Sequence, residues 1–228
     1  ENKKNIEFLN PAETKDGFYA ETGWTSINNK ILVPTKESMW SVVGNNVLSE
    51  NKPITLEWNN GEGIIFKKII ELDDKFLFKI KQQVQNNTNK PINLYPYAQL
   101  TRNNIPEDIQ NFYISHEGFI GVFDEELKED DYDDVEEKKI VREANKGWLG
   151  ITDKYWMTAL VPTQGESFKS SFLYKEAFKA NYILNTPTKI KSSAKNSNDI
   201  RLFVAAKEVQ TIDNYAADEK IEKLDLTI

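Results

Sequence analysis

The sequence predicts an all-β domain built as a sandwich of antiparallel sheets, and three observations carry that expectation. Turn signals recur at short intervals: Asn10-Pro11, Asn59-Asn60-Gly61, Asp73-Asp74, Asn86 to Pro91, Gln164-Gly165 and Asn185 to Pro187. Between them lie runs that alternate apolar and polar residues at period two, the spacing of a half-buried strand. Twelve Phe, nine Tyr and five Trp in 228 residues supply a core, each ring burying about 150–250 Å². Many short strands at this spacing read as a sandwich or barrel.

Taken in chain order, Ile64 to Ile70 is apolar at most positions and suits a strand covered on both faces. Phe76, Phe78, Ile80 and Val84 alternate with Lys79, Lys81, Gln83 and Gln85. Tyr95 and Tyr97 share one strand face, and Pro96 between them places that strand at a sheet edge, where a peptide could add as a further strand. The run 124–139, with ten acids against three lysines, reads as a solvated loop or disordered segment. In 146–162, Tyr155, Met157, Ala159 and Val161 fall on one face, with Trp156, Thr158 and Leu160 on the other. Gly147 and Gly150 permit a turn or close backbone approach before that strand. Phe168, Phe172 and Tyr174 form one further strand, and Phe178, Ala180, Tyr182 and Leu184 the next. Ser192–Asp199 reads as a surface loop. One stretch reads as helix, 208–218, where Val209, Ile212 and Ala216 make an i, i+3, i+7 stripe with Tyr215 beside it. The expected core includes Phe76, Phe78, Ile80, Tyr155 and Met157, and Trp148 and Trp156 are expected to be structural.

Composition narrows the function classes. A net charge of -7 and a pI near 5.0 disfavour nucleic acid, which needs clustered Lys and Arg, and by the same reasoning disfavour an anionic lipid surface. Zero cysteines exclude disulfides, thiolate nucleophiles and Cys-based zinc sites. No run approaches the roughly 18 apolar residues of a membrane span, and no signal peptide opens the chain. A mean hydropathy of -0.60 with 29% charged residues fits a well-solvated surface.

The segment KGWLGITDKYWMTALVP at 146–162 resembles the GW-x-G-x-x-DKYW signature of the large periplasmic domain of the YidC family of bacterial membrane protein insertases. NPAETKDGFYAETGW at 10–24, ITLEWNNGEGIIF at 54–66, NKPINLYPYAQLTR at 89–102, HEGFIG at 116–121 and LFVAAKE at 202–208 are similar to further signatures in the same order. The resemblance implies a large twisted sandwich of two antiparallel sheets, the galactose-mutarotase-like supersandwich, spanning 1–228 as one periplasmic domain. That family's domain opens with a Gly-Gly strand that has no counterpart here, so the chain is expected to lack the first strands and to be an extracytoplasmic fragment of an inner-membrane multi-pass protein. The implied role is a non-catalytic interaction module, working alone or with the Sec translocon and its SecD/SecF accessory subunits. Nascent membrane proteins would meet the rest of the parent chain. The 208–218 helix would lead toward the membrane part.

Chemistry-bearing motifs are few. His116 is the only histidine, and sugar-ring opening as mutarotases perform it leans on more than one. Glu117 is its direct neighbour, so the two side chains would diverge along a strand. An EF-hand starting at Asp131 fails, with Val135 at a ligand position and Glu136 where the turn glycine belongs. No cofactor or metal is expected. Arg102 ends an aromatic strand and reads either as a carboxylate partner or as part of a contact surface. The expected partner-contact residues, within 97–146, are Arg102, Asp130, Asp131, Asp133, Asp134, Glu136 and Glu137, because charged loops on a rigid frame commonly carry binding. Those expected to couple the helix are Val209, Ile212, Tyr215 and Ala216. The alternative reading is a carbohydrate-binding or mutarotase-like sandwich.

Overall fold

Alternation along Ile92–Arg102 builds β6, an eleven-residue strand whose inward side chains Ile92, Leu94, Ala98 and Leu100 are buried. In the computed structural model, which describes residues 8–27, 30–106, 116–219, 221 and 223–227, β6 lies inside a six-stranded antiparallel sheet. Its other strands are β1 (Phe18–Thr25), β9 (Ile140–Ala144), β12 (Phe168–Lys175), β13 (Ala177–Leu184) and β14 (Thr188–Ile190), in the order β1-β6-β13-β12-β9 with β14 also on β6. The second sheet has nine strands in the order β2-β3-β4-β5-β15-β11-β10-β7-β8. These are β2 (Ser41–Val43), β3 (Ile54–Asn59), β4 (Ile64–Leu72), β5 (Leu77–Asn86), β7 (Gly118–Phe123), β8 (Glu126–Asp130), β10 (Gly147–Thr152), β11 (Trp156–Val161) and β15 (Ala194–Ala206). Helices α1 (Tyr132–Glu137) and α2 (Val209–Asp218) and a short 3-10 turn (Leu224–Thr227) complete the described residues.

Three apolar clusters hold the fold. The main one lies between the sheets, where Leu100, Phe168, Phe172, Phe178 and Tyr182 meet Phe119, Leu149, Ile151, Leu160 and Leu202. A second sits at one end of the sandwich around Trp24, Ile64, Phe66, Val84 and Leu94. The third covers the outer face of the nine-stranded sheet, where Ile212, Tyr215, Ile221 and Leu224 lie over Trp148, Met157, Ala159, Val161 and Phe203. A sheet with one face on the core and the other under a helix must be apolar on both, which explains the burial of every β10 residue and nearly all of β11. Between the first two clusters runs a polar row in register: Lys68 on β4 opposite Gln82 on β5, and Gln82 opposite Asn198 on β15.

The sandwich, the antiparallel pairing and the C-terminal helix agree with the sequence, and several local expectations are corrected. Phe76 is 51% exposed because the Asp73 carboxylate accepts from the Lys75 and Leu77 N–H groups, turning Phe76 to φ 66 just before β5 begins. Tyr155 is 63% exposed at the tip of the β10–β11 hairpin, where the Asp153 N–H donates to Trp156 O. Phe78, Ile80 and Met157 pack as expected, although Met157 faces α2 rather than the opposing sheet. Pro96 is not at an edge: β6 pairs with β1 on one side, and on the other the break between β13 (ending opposite Tyr97) and β14 (starting opposite Leu94) falls at Pro96. That break accommodates a residue without an N–H inside a sheet, and no strand-addition edge exists there. Ser192–Asp199 is largely the first half of β15, paired from Ala194↔Asn86 to Asp199↔Lys81.

Candidate functional site

The acidic run is ordered, contrary to the expectation of a solvated or disordered loop. Phe119 to Phe123 pair with Glu126 to Asp130 as the β7–β8 hairpin, and α1 follows at once. Tyr132 and Val135, three residues apart, fall on one face of α1 and are buried in the main core. The Tyr132 ring meets Phe178 edge-on at 4.9 Å and Phe119 at 5.5 Å. Two apolar anchors thus fix a helix whose remaining positions are charged. Asp134 Oδ2 accepts from the Asp131 N–H at 3.4 Å, and Asp133 and Asp134 lie in the first turn, where the helix dipole favours anions. Asp131, Asp133, Asp134, Glu136 and Glu137 are exposed, and the structure brings these five expected contact residues together on one knob. Residues 107–115, inside the 97–146 region expected to carry contacts, lie outside the described residues.

Two members of the expected set are committed internally. Asp130 Oδ1 accepts from Arg142 Nη2 at 2.9 Å, its Oδ2 lies 2.8 Å from Nη1 in the same ion pair, and the side chain is largely covered, so it serves the frame rather than a partner. Arg102 is only 13% exposed. Its Nη1 and Nη2 donate to Asp153 Oδ1 and Oδ2 at 2.6 and 3.0 Å, Nη1 also donates to the Tyr132 hydroxyl at 3.0 Å, and the guanidinium lies over the Phe18 ring. Burial pulls the Arg102 pKa down, but Tyr132 and Asp153 outweigh it and the net direction is upward. Burial pushes the Tyr132 hydroxyl up to about 12, against the pull of Arg102. Arg102 is therefore a tie between β6, the β10–β11 hairpin and α1. The sequence held a signal for this pairing, since Asp153 was the isolated acid of the DKYW stretch, but no spacing rule connects positions 51 apart.

Beside this tie opens a cleft of about 340 Å³, walled by Phe8, Phe18, Ile105 and Trp156 and lined also by Arg102 and Asp153. Phe8 meets Trp156 edge-on at 4.5 Å. His116 lies elsewhere: its Nε2 is 2.8 Å from Phe119 O and its Nδ1 3.7 Å from Asp131. Among the described residues no cluster of His, Cys, Asp or Glu is arranged to hold a metal ion, and no helix is long and apolar enough to cross a membrane.

The helix residues behave as an anchor. Ile212 is fully buried, and Tyr215 is buried with its ring 5.6 Å from Phe203 and its hydroxyl donating to Asp73. Burial, then the Asp73 carboxylate, pushes the Tyr215 hydroxyl upward. Ala216 packs beside them, and Glu219 beyond the helix receives Lys79 at 2.6 Å and Arg201 at 3.4 Å. Val209 departs from the expected stripe; at the first helical position it is 58% exposed.

Comparison with known proteins agrees with this architecture. The family model of the YidC periplasmic domain matches residues 1–228. Relatives named membrane protein insertase YidC are 44% identical over 225 residues in Pelagibacter ubique, 35% over 229 in a Jannaschia species and 34% over 229 in Brucella melitensis. The matches cover 99, 92 and 98% of this chain but 40, 36 and 38% of those proteins, so the chain spans about two-fifths of their length. None of the three is named as an enzyme. A solved galactose mutarotase related enzyme from Lactobacillus acidophilus superposes with a TM-score of 0.54 at 10% identity, covering 74% of this chain and 72% of that one, which shows a shared fold. The chain belongs to the family of YidC periplasmic domains.

Proposed function

We propose that this periplasmic domain is a non-catalytic interaction module of a membrane protein insertase, and that the α1 knob is its contact surface for the Sec accessory subunits SecD and SecF. The observation that carries the reading is the anchoring of five exposed acids, four on α1 and one at its N-cap, by Tyr132 and Val135 in the core and by Arg102 through the Tyr132 hydroxyl. Such a surface is preorganised, so binding orders little that was free before. Its charge would act chiefly on encounter rate and salt sensitivity. The C-terminal helix, packed on the outer face of the nine-stranded sheet, would fix the domain's attitude to the membrane part of the parent protein. Nascent membrane proteins would be handled by that part.

A sugar-binding reading draws on the aromatic-walled cleft and the mutarotase-like frame. Against ring-opening chemistry stands the engagement of the only histidine with the Phe119 carbonyl. Calorimetric titration of the domain with galactose, run beside a pull-down of the accessory subunits by the full-length protein, separates the two. Subunit capture that weakens on neutralising α1, with no heat from galactose, supports the module. Galactose binding lost with Trp156→Ala, and capture indifferent to α1, would replace it.

A further inference from the structure

The net charge of -7 conceals a separation of charge along the sandwich. At the β3–β4, β5–β6 and β13–β14–β15 turns, residues 59–63, 86–91 and 185–195 carry Lys90, Lys189, Lys191 and Lys195 against a single acid, Glu62. All four lysines are exposed, and none forms an ion pair among the described residues. One buried side chain gathers them: Asn86 Nδ2 lies 2.7 Å from Lys90 O, 3.2 Å from Ile190 O and 3.2 Å from Lys191 O. The Ser192 hydroxyl donates to Thr88 O at 2.7 Å, Asn196 Nδ2 donates to Lys189 O at 3.0 Å, and Lys195 stands opposite Gln85. The lysines are therefore fixed as a group by the backbone beneath them.

The acidic knob is far from this tip. Lys90 precedes β6 and Arg102, which touches α1, ends it, so eleven residues at about 3.3 Å each put the two regions roughly 35 Å apart. That is about four Debye lengths at physiological salt, so the α1 acids do not cancel the tip's field. None of three clefts among the described residues is lined by these lysines. The tip's lysines spread over the β5–β6 turn and the stretch from β14 into β15, which matches a surface carrying many fixed negative charges.

We propose that this lysine tip docks on the anionic headgroup surface of a lipid bilayer. The exclusion drawn from net charge fails here because only charges within a Debye length of the surface count. The inference does not depend on the role assigned to α1.

Vesicles of phosphatidylethanolamine with phosphatidylglycerol are the probe, and phosphatidylcholine vesicles the neutral control. The 228-residue chain should float with the phosphatidylglycerol vesicles at low salt and be released as salt rises. Each lysine near an anionic surface is worth about fivefold in partitioning, so Lys90→Gln, Lys189→Gln, Lys191→Gln and Lys195→Gln together should lower it on the order of a hundredfold or more. The variant's unfolding midpoint should not move, since these side chains are exposed and unpaired. Asp133→Asn with Asp134→Asn should leave vesicle binding intact. The proposal is overturned if the native chain ignores phosphatidylglycerol, or if the lysine variant partitions equally well. It is also overturned if inorganic phosphate displaces the native chain where chloride at equal ionic strength does not, which would mean a free-anion site. Self-association by light scattering that the lysine variant abolishes would instead assign the tip to the acidic knob of a second copy.

Discussion

Asp153 neutralises a guanidinium that three elements share, so its loss should be felt beyond the hairpin that carries it. In Asp153→Ala the Arg102 charge would stay largely buried with the Tyr132 hydroxyl and the Phe18 ring but without a counter-charge from Asp153. Breaking a fully buried pair from one side costs about 3–5 kcal/mol; with the Asp153 side chain 25% exposed, about 2–3 kcal/mol is expected, read from urea unfolding. Lys68 offers a second test at this scale. Burial, partly offset by Glu21, lowers its pKa to about 8, and its Nζ donates to Thr22 O beneath the Trp40 ring. A base depressed in the folded state binds fewer protons there than when unfolded, so between about pH 8 and 10.5 stability should rise with pH. The rise is at most about 3 kcal/mol. Lys207, lowered first by burial, adds in the same direction. Above pH 10 Tyr132, raised to about 12, reverses the trend, because the unfolded chain loses that proton first. Lys68→Met should flatten the rise between pH 8 and 10 and raise stability at pH 7; an unchanged profile would show that Lys68 is solvated in the fold.

At the scale of elements, β10 and β11 show why period two was legible and its meaning was not. Alternation placed Met157, Ala159 and Val161 on one face and Thr158 and Leu160 on the other, as found. It could not say that the first face meets a helix, because both faces are equally apolar. The two glycines were read correctly as close approaches: a Cβ on Gly147 would lie 1.9 Å from Val122 O, and one on Gly150 2.1 Å from Thr158 O. Hairpin tips defeated the pattern, since Phe76 and Tyr155 keep the strand's parity while the turn lifts them out. In the acidic run the two informative residues, Tyr132 and Val135, were outnumbered by charge, and a single i, i+3 pair is too short a period to reveal a helix. The exposed acids were legible as composition, whereas the internal use of Arg102 and Asp130 depended on partners far along the chain. Trp148 is fully buried beneath α2, so Trp148→Ala should cost about 3–5 kcal/mol, whereas Trp156→Ala, half-buried against Phe8, should cost less. Comparative denaturant melts order the two. Ile212→Asp places an unpaired charge in the third cluster and should release α2. Faster hydrogen exchange confined to Val209–Asp218 and the strands beneath it would report that release.

For the whole molecule the organising feature is a rigid frame with exposed charge at its ends, acids on α1 and lysines at the turns far from it. The sandwich ties its acidic knob to the core through Arg102 and Tyr132, and its third cluster clamps the C-terminal helix. The central claim is that α1 is the surface by which the parent insertase meets the Sec accessory subunits. It is tested most directly by the association rate of the full-length protein with those subunits across a salt series. The comparison is with a variant carrying Asp133→Asn, Asp134→Asn, Glu136→Gln and Glu137→Gln. Steering by exposed charge predicts a rate that falls steeply with salt for the native protein, a slower and nearly salt-independent rate for the variant, and the two converging at high salt. Identical rates and identical salt slopes for the two proteins would contradict the account.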